Sequence, residues 1–294
     1  MSPLSGPLPV RGFLLHITHY DPVWCARKAT ERPFDLKVAL AVIDAMAEAG
    51  LNLLIVDAKD AVAYATHPEL ARPYTQPMQI LHRLREHAFA RGIETAVKLN
   101  FSQSALHQHN HWFRPYHDLF DNAEYWQRGF QVIDELVAAV RPKRFFHIGM
   151  DEDHARSYTQ YAAAIQTLHG GLAARSLRTL IWNDSACAWP AADIHKEKSL
   201  YAEERIPRDV IQVVWDYAGA DRAVLERIRG RGFEVWGAPG SDVPMVVAMR
   251  DALVACGGGG LVLTRWIPCV AENRERLVSR VREWATAAAE PCRG

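Results

Sequence analysis

The stretch Arg144-Phe145-Phe146-His147-Ile148-Gly149-Met150-Asp151-Glu152 decides how the rest of the chain is read. Its first part is a short apolar run. Its second part turns through Gly149 into the acids Asp151, Glu152 and Asp153, ahead of a polar, helix-like segment. A strand that ends in a carboxylate pair just before a helix matches the junction where α/β barrels keep their chemistry. Like charges side by side cost energy, so one tends to hold its proton, and a held proton is what a general acid supplies. A helix N-terminus also attracts acids, by ~0.3–1 kcal/mol, and Asp153 needs no more reason than that.

Working outward, short apolar runs alternate with longer amphipathic ones. Strands are expected at Gly12–Thr18, Leu51–Val56, Ile93–Leu99, Arg144–Ile148, Leu177–Trp182, Val210–Trp215, Phe233–Trp236 and Leu261–Trp266. Between and after them lie helical patterns at Asp35–Ala49, Pro77–Arg91, Ala123–Val140, Tyr158–Arg175, Asp193–Arg205, Asp221–Arg231, Val243–Ala255 and Glu272–Ala289. In the first helix Leu36, Leu40, Ile43 and Ala47 fall at helical spacing, and Gly50 closes it as a left-handed cap. Repeated strand–helix pairs favour a parallel sheet with helices outside, and eight pairs in this length give a single (β/α)8 TIM barrel of the α/β class. The expected domain is one catalytic barrel over residues 1–294, without a separate accessory domain. An open doubly wound sheet is the competitor. It would bring a nucleotide site, yet no Gly-x-Gly-x-x-Gly follows the first strand and no phosphate loop is present. The stretch Phe101–Asp121, rich in His and aromatics, has no clear periodicity, and long ordered loops of this sort are usually functional.

Composition narrows the function classes. The chain is 49% hydrophobic and 23% charged, ordinary for a globular protein. Its formal net charge of +0 argues against a nucleic-acid partner or an anionic membrane surface. No apolar run reaches the ~20 residues of a membrane helix, and Met1–Val10 lacks the charged start and apolar core of a signal peptide. The five cysteines are scattered without Cys-x-x-Cys spacing, so neither a disulfide framework nor a zinc ribbon is indicated. A reducing, cytoplasmic location is the simplest expectation.

In a barrel, the residues that follow each strand share one cavity. Here they are polar and aromatic: His16, His19, Tyr20, Asp21 and Trp24; Asp57, Lys59, Asp60 and Tyr64; Asn100 with His107, His109, His111 and Trp112; Asp151 to His154; Trp182, Asn183 and Asp184; Trp215, Asp216 and Tyr217; Trp236; Arg265 and Trp266. Four strands thus end in tryptophan. Indole faces stack on the apolar faces of sugars while nearby carboxylates and amides bind hydroxyls. Each Trp taken singly is as well explained as core.

At this point the chain resembles glycoside hydrolase family 20, the β-N-acetylhexosaminidases. That family carries His-x-Gly-Gly-Asp-Glu at the end of barrel strand four, and His147 to Glu152 is similar to it, with Met150 in place of the second Gly. Arg11-Gly12-Phe13 looks like the start of the family's first strand, whose Arg binds sugar hydroxyls. Asn52 to Asp60, then His67-Pro68-Glu69-Leu70, looks like its second strand and a downstream Tyr-Pro-Glu-Leu. Trp182, Trp215 and Trp266 fall where the family has pocket tryptophans. The sequence departs from the pattern in places. The family's His-x-x-Asp is Asp57-Ala58-Lys59-Asp60 here, Pro-Gly-His after strand three is absent, and Trp-x-Glu after strand eight is Trp266-Ile267-Pro268. The Asp-x-Tyr loop after strand seven has no clear counterpart, although Asp216-Tyr217 lies one strand earlier.

The resemblance implies a glycosidase that removes terminal β-linked N-acetylhexosamine with help from the substrate's own acetamido group. Glu152 would be general acid and base, and Asp151 would orient the acetamido group. Arg11, Asp60, Trp182, Trp215, Tyr217, Trp236 and Trp266 would bind substrate, with His147, Asp57 and His109 in support. The expected partner is an amino-sugar glycoside or oligosaccharide, with no cofactor and no metal, and a second copy of the chain could complete the site in a homodimer. Two other readings stay open. His16, His19, His107, His109 and His111 could hold a metal in a barrel hydrolase, although the first strand offers His-x-x-His rather than His-x-His. Alternatively, a degenerate barrel could bind glycans without cleaving them.

Overall fold

A computed structural model describes residues 8–17, 33–103, 111–187 and 193–290. The eight strands are β1 (Val10–His16), β2 (Leu53–Asp57), β3 (Glu94–Lys98), β4 (Phe145–His147), β5 (Arg178–Asn183), β6 (Ile211–Asp216), β7 (Val235–Pro239) and β8 (Gly260–Thr264). They run parallel and close in chain order, with β8 pairing back to β1. Helices α1 (Leu36–Glu48), α2 (Gln79–Phe89), α3 (Ala123–Val140), α4 (Tyr158–Ala173), α5 (Asp193–Glu203), α6 (Arg222–Gly230), α7 (Val243–Cys256) and α8 (Arg274–Ala289) follow the strands in turn. This is the (β/α)8 barrel expected from the alternation.

Local signals set the helix ends. The side chains of Asp35 and Asn122 accept backbone N–H groups at the starts of α1 and α3, and Ser157 with Gln160 forms a reciprocal capping box on α4. Gly50, after α1, has φ +74°, which only glycine adopts without cost. Among the described residues no helix is long and apolar enough to cross a membrane.

Strand alternation divides the apolar residues into two cores. One face of each strand meets the helices in a large outer core that includes Phe13, Leu54, Val97, Phe146 and Leu263. The other face fills the barrel with Leu14, Ile55, Ala96, Phe145, Leu180, Val213 and Val262. Above that apolar plug the inward positions turn polar. His16 is level with Asp57, Asp57 with Lys98, and Lys98 with His147 across β1 to β4.

The strand ends are shifted slightly from expectation, and the shifts of β7 and β8 matter. Phe233 belongs to the turn that closes α6, where its N–H reaches Ile228 O, and it packs in the outer core. Strand β7 therefore starts later and continues through Gly237 and Ala238, in register with β6 as far as Pro239. Trp236 is its second residue rather than its end. Likewise β8 stops at Thr264, so Trp266 stands beyond the strand.

Candidate active site

The acid pair sits on a strained junction. After β4 the backbone passes through left-handed conformations at Gly149 (φ +73°), Met150 (φ +75°) and Glu152 (φ +52°). At Gly149 a side chain is excluded on two counts, since a Cβ there would lie 2.3 Å from Asn100 Oδ1. Met150 tolerates the conformation at a cost of ~1–2 kcal/mol. Its N–H donates to Asn100 Oδ1 at 3.1 Å, its carbonyl accepts the Tyr161 hydroxyl at 2.9 Å, and its side chain is buried in the outer core.

Asn100, just beyond β3, organises this turn. Its Oδ1 accepts the N–H groups of Ser102 (2.9 Å) and Met150. Its amide nitrogen is thereby turned toward Asp151 and donates to Oδ1 at 2.8 Å. With the oxygen committed to two N–H donors, the flipped amide would set donor against donor. The Asn100 carbonyl in turn accepts the indole N–H of Trp112 at 2.8 Å. Trp112 and Phe113 pack edge-on against Phe101, so these aromatics of the 101–121 stretch serve to anchor the site. His67 contributes to the same anchor, bonding the Tyr116 hydroxyl at 2.7 Å and Gln131 at 2.9 Å.

Glu152 is held from the other side. Asp184, immediately after β5, accepts the Glu152 N–H on Oδ2 at 2.8 Å and the Trp215 indole N–H on Oδ1 at 2.7 Å. Burial, and after it the charge of Asp151, pushes the Asp184 carboxyl well above the usual range. Asp153 takes no part in this arrangement. It accepts Arg156 at 2.7 Å and Lys198 at 3.3 Å in a buried ion cluster that ties the junction to α5.

Beneath the pair lies the polar belt. His16 Nδ1 is 2.8 Å from Asp57 Oδ2, and the ammonium groups of Lys59 and Lys98 each approach that oxygen at 3.3 Å. His16, Asp57, Lys98 and His147 are all at most 1% exposed. Burial lowers His16 to about 4 despite the neighbouring carboxylate, so the ring is neutral. Burial alone would raise Asp57, but Lys59, Lys98 and His16 hold it well below its usual range. Burial lowers Lys98, and burial followed by the Lys98 charge keeps His147 neutral. The Gly149 N–H donates to His147 Nδ1 at 3.0 Å, which puts the ring proton on Nε2. Trp266 roofs the belt, its ring 4.6 Å from His16 and 6.1 Å from Trp182, which itself rests on His147 at 4.5 Å. Its indole N–H donates to the Tyr217 hydroxyl at 2.5 Å, and Tyr217 lies 5.2 Å from Trp215.

Asp151, Glu152, His147, Asp57, Trp182, Trp215, Tyr217 and Trp266 therefore gather at the C-terminal end of the barrel. Arg11 does not: its guanidinium donates to Gly50 O and Leu8 O at the opposite end, because its strand position leaves it beside the α1–β2 turn. Trp236 is also at the wrong end. It fills the barrel floor against Phe145 at 5.0 Å, donates to Glu234 at 2.7 Å, and fits only because position 260 is glycine. Asp60 accepts the Tyr74 hydroxyl at 2.7 Å within the loop that follows β2. His19, His107 and His109 lie outside the described residues. A cavity of about 630 Å³ opens at the N-terminal end, lined by Arg85, Phe89, Glu94, Arg141, Lys143 and Arg144, away from every strand C-terminus.

Solved structures share this arrangement of strands. The chain is similar to dispersin B, at 15% identity and a TM-score of 0.60, over 97% of this chain and 100% of that one. The β-N-acetylhexosaminidase of Streptomyces coelicolor A3(2), from glycoside hydrolase family 20, superposes with a TM-score of 0.68 at 14% identity, over 96% of this chain and 64% of that one. An exo-β-N-acetylglucosaminidase of the same family from Vibrio harveyi, in complex with N-acetylglucosamine, gives a TM-score of 0.66 at 13% identity, over 96% and 54%. The fold is that of the family 20 catalytic barrels. No family model matches the sequence, and no curated protein matches it.

In the sequence, Asn100 and Asp184 are visible only as polar residues after strands. Lys98 is missed altogether. Its signal is the period-two pattern of β3, in which Ala96 and Lys98 share the inward face.

Proposed function

We propose that the chain is a glycoside hydrolase that removes terminal β-linked N-acetylhexosamine by substrate-assisted retaining catalysis. The observation that carries this reading is the adjacent pair Asp151–Glu152 at the top of β4, with the Asp151 carboxylate gripped by Asn100. Neighbours on one strand end approach a sugar from the same side. A retaining pair that supplies its own nucleophile needs carboxyls ~5–5.5 Å apart across the bond, and an inverting pair ~6.5–9.5 Å. A same-side pair instead suits a substrate whose 2-acetamido oxygen attacks its own anomeric carbon.

In the first step Glu152 protonates the glycosidic oxygen as the C1–O bond breaks, and the acetamido oxygen closes on C1. Asp151 accepts the acetamido N–H and balances the positive charge that develops on the oxazolinium ring. In the second step Glu152 takes a proton from water, whose oxygen attacks C1 and reopens the ring. General acid–base help of this kind is worth ~10²–10⁴-fold. Trp182, Trp215 and Trp266 supply aromatic faces, and Tyr217 a hydroxyl, around the same end of the barrel. The fold likeness to hexosaminidases supports the reading.

The test is hydrolysis of chromogenic β-GlcNAc and β-GalNAc glycosides in the presence of EDTA. Turnover by the wild type, loss of turnover of poor leaving groups in Glu152→Gln and a large rate loss in a folded Asp151→Asn are expected. Near wild-type rates on a natural glycoside in either variant would refute the assignment. Binding without turnover would point to a glycan-binding barrel.

A further inference from the structure

We infer that Asp184 is a positioning residue that fixes the backbone of the general acid Glu152 and the indole of Trp215 to a single carboxyl group. The inference rests on the glycosidase reading and adds to it a residue that never touches the reacting atoms. Each oxygen of Asp184 has one committed donor, Glu152 N–H on Oδ2 at 2.8 Å and Trp215 Nε1–H on Oδ1 at 2.7 Å. A carboxyl group bound through both oxygens cannot rotate, so the Glu152 backbone and the Trp215 ring keep a fixed separation.

Asp184 itself has no room to drift. It is 1% exposed. Its own N–H donates to Ser199 Oγ at 3.0 Å, and its carbonyl accepts the Cys187 N–H at 3.0 Å. The preceding Asn183 spans to Glu203 at 3.1 Å and Gln212 at 3.0 Å, which ties the end of β5 to α5 and β6. Glu152, by contrast, occupies the left-handed region at φ +52°, a conformation that persists only where its surroundings impose it. The N–H···Oδ2 contact restrains the Glu152 backbone. The carboxyl group that follows β5 thus decides where the acid after β4 stands relative to the ring from β6.

The test uses the full chain and two aryl N-acetyl-β-glucosaminides, one with a poor leaving group (phenyl) and one with a good one (2,4-dinitrophenyl). Asp184→Asn has one acceptor in place of two, so one N–H is left facing an amide NH₂. Misplacing the acid costs rate only where the leaving oxygen needs a proton. Turnover of the phenyl glycoside is expected to fall ~10–100-fold, part of the ~10²–10⁴ that a general acid supplies, while the dinitrophenyl glycoside loses less than about 3-fold. Equal losses on both substrates would mean a structural role only and would overturn the inference. Trp215→Phe keeps an aromatic ring and the Glu152 contact but frees Oδ1, and the same leaving-group bias is expected on a smaller scale. This second variant answers the question if Asp184→Asn does not fold. Hydrogen exchange gives a readout independent of turnover. The segment 149–156 is expected to exchange faster in Asp184→Asn, and unchanged exchange would overturn the clamp. A wild type that hydrolyses neither glycoside would sink the glycosidase reading instead, and faster exchange would then still support the clamp.

Discussion

Replacing Asn100 with Asp changes one atom type and leaves the shape intact. One oxygen of the new carboxylate still accepts the Ser102 and Met150 N–H groups, as Asn100 Oδ1 does at 2.9 and 3.1 Å. The other takes the place of the amide nitrogen, 2.8 Å from Asp151 Oδ1. Two carboxylates at that distance cannot both ionise, so the pair shares a proton and one ionisation is raised. A rise of ~2–3 units, at ~1.4 kcal/mol per unit, makes the variant weaker by ~3–4 kcal/mol once the proton is lost. The folded protein then holds a proton that the unfolded chain, with carboxyls near ~4, releases earlier. Stability relative to wild type therefore falls as pH rises from ~4 through the raised value, reached by about pH 7. Urea unfolding of both proteins at pH 4.5 and pH 7.5 measures this. The difference between their unfolding free energies should be small at the lower pH and several kcal/mol at the higher. An equal penalty at both pH values would show that Asn100 does not face the Asp151 carboxylate.

Two further outcomes follow from the same geometry. Gly149→Ala combines a left-handed backbone with a Cβ 2.3 Å from Asn100 Oδ1, so it should displace Asn100 and cost ~2–4 kcal/mol in urea melts, and a loss below 0.5 kcal/mol would contradict the turn. The buried His16, lowered to about 4, binds fewer protons folded than unfolded, so stability should fall as pH drops from ~6.5 toward 4, by up to ~3 kcal/mol. His147 adds in the same direction, and His16→Gln should make the profile shallower; identical profiles would refute a buried, neutral His16.

The barrel was legible because helix and strand periods alternate cleanly, and because caps such as Gly50 and Asn122 sit where the patterns end. The expected helix Ala123–Val140 matches α3 at both ends. The candidate site was legible along β4, where acids adjoin a glycine turn, and at the ends of β2, β5, β6 and β8, but not in every residue. Arg11 and Trp236 show why. Each is a plausible ligand residue by type, but a strand's two ends look alike in one dimension, and which end a residue occupies depends on where pairing begins. For Trp236 that start was set by register with β6 and by the glycine at position 260 rather than by anything in β7's own pattern. Asn100 and Asp184 were seen but given no role, because their partners are 51 and 31–32 residues away in sequence.

The charge distribution explains why Asp151 suits the role of resident carboxylate. The belt holds two ammonium groups, Lys59 and Lys98, on one oxygen of Asp57, while His16 and His147 are neutral. One positive charge is therefore left over in a buried layer, and an unbalanced buried charge is costly. The Asp151 carboxylate supports the charged form of Lys98, just as Asp57 does, so Asp151 supplies the missing negative charge from above. Burial, and after it the same Asp151 charge, pushes Asp184 upward, which discourages a second anion beside the first. Negative charge is in this way concentrated on the acid that Asn100 orients, and a positively charged ring formed above Asp151 would meet a carboxylate already fixed in place rather than one drawn from solvent.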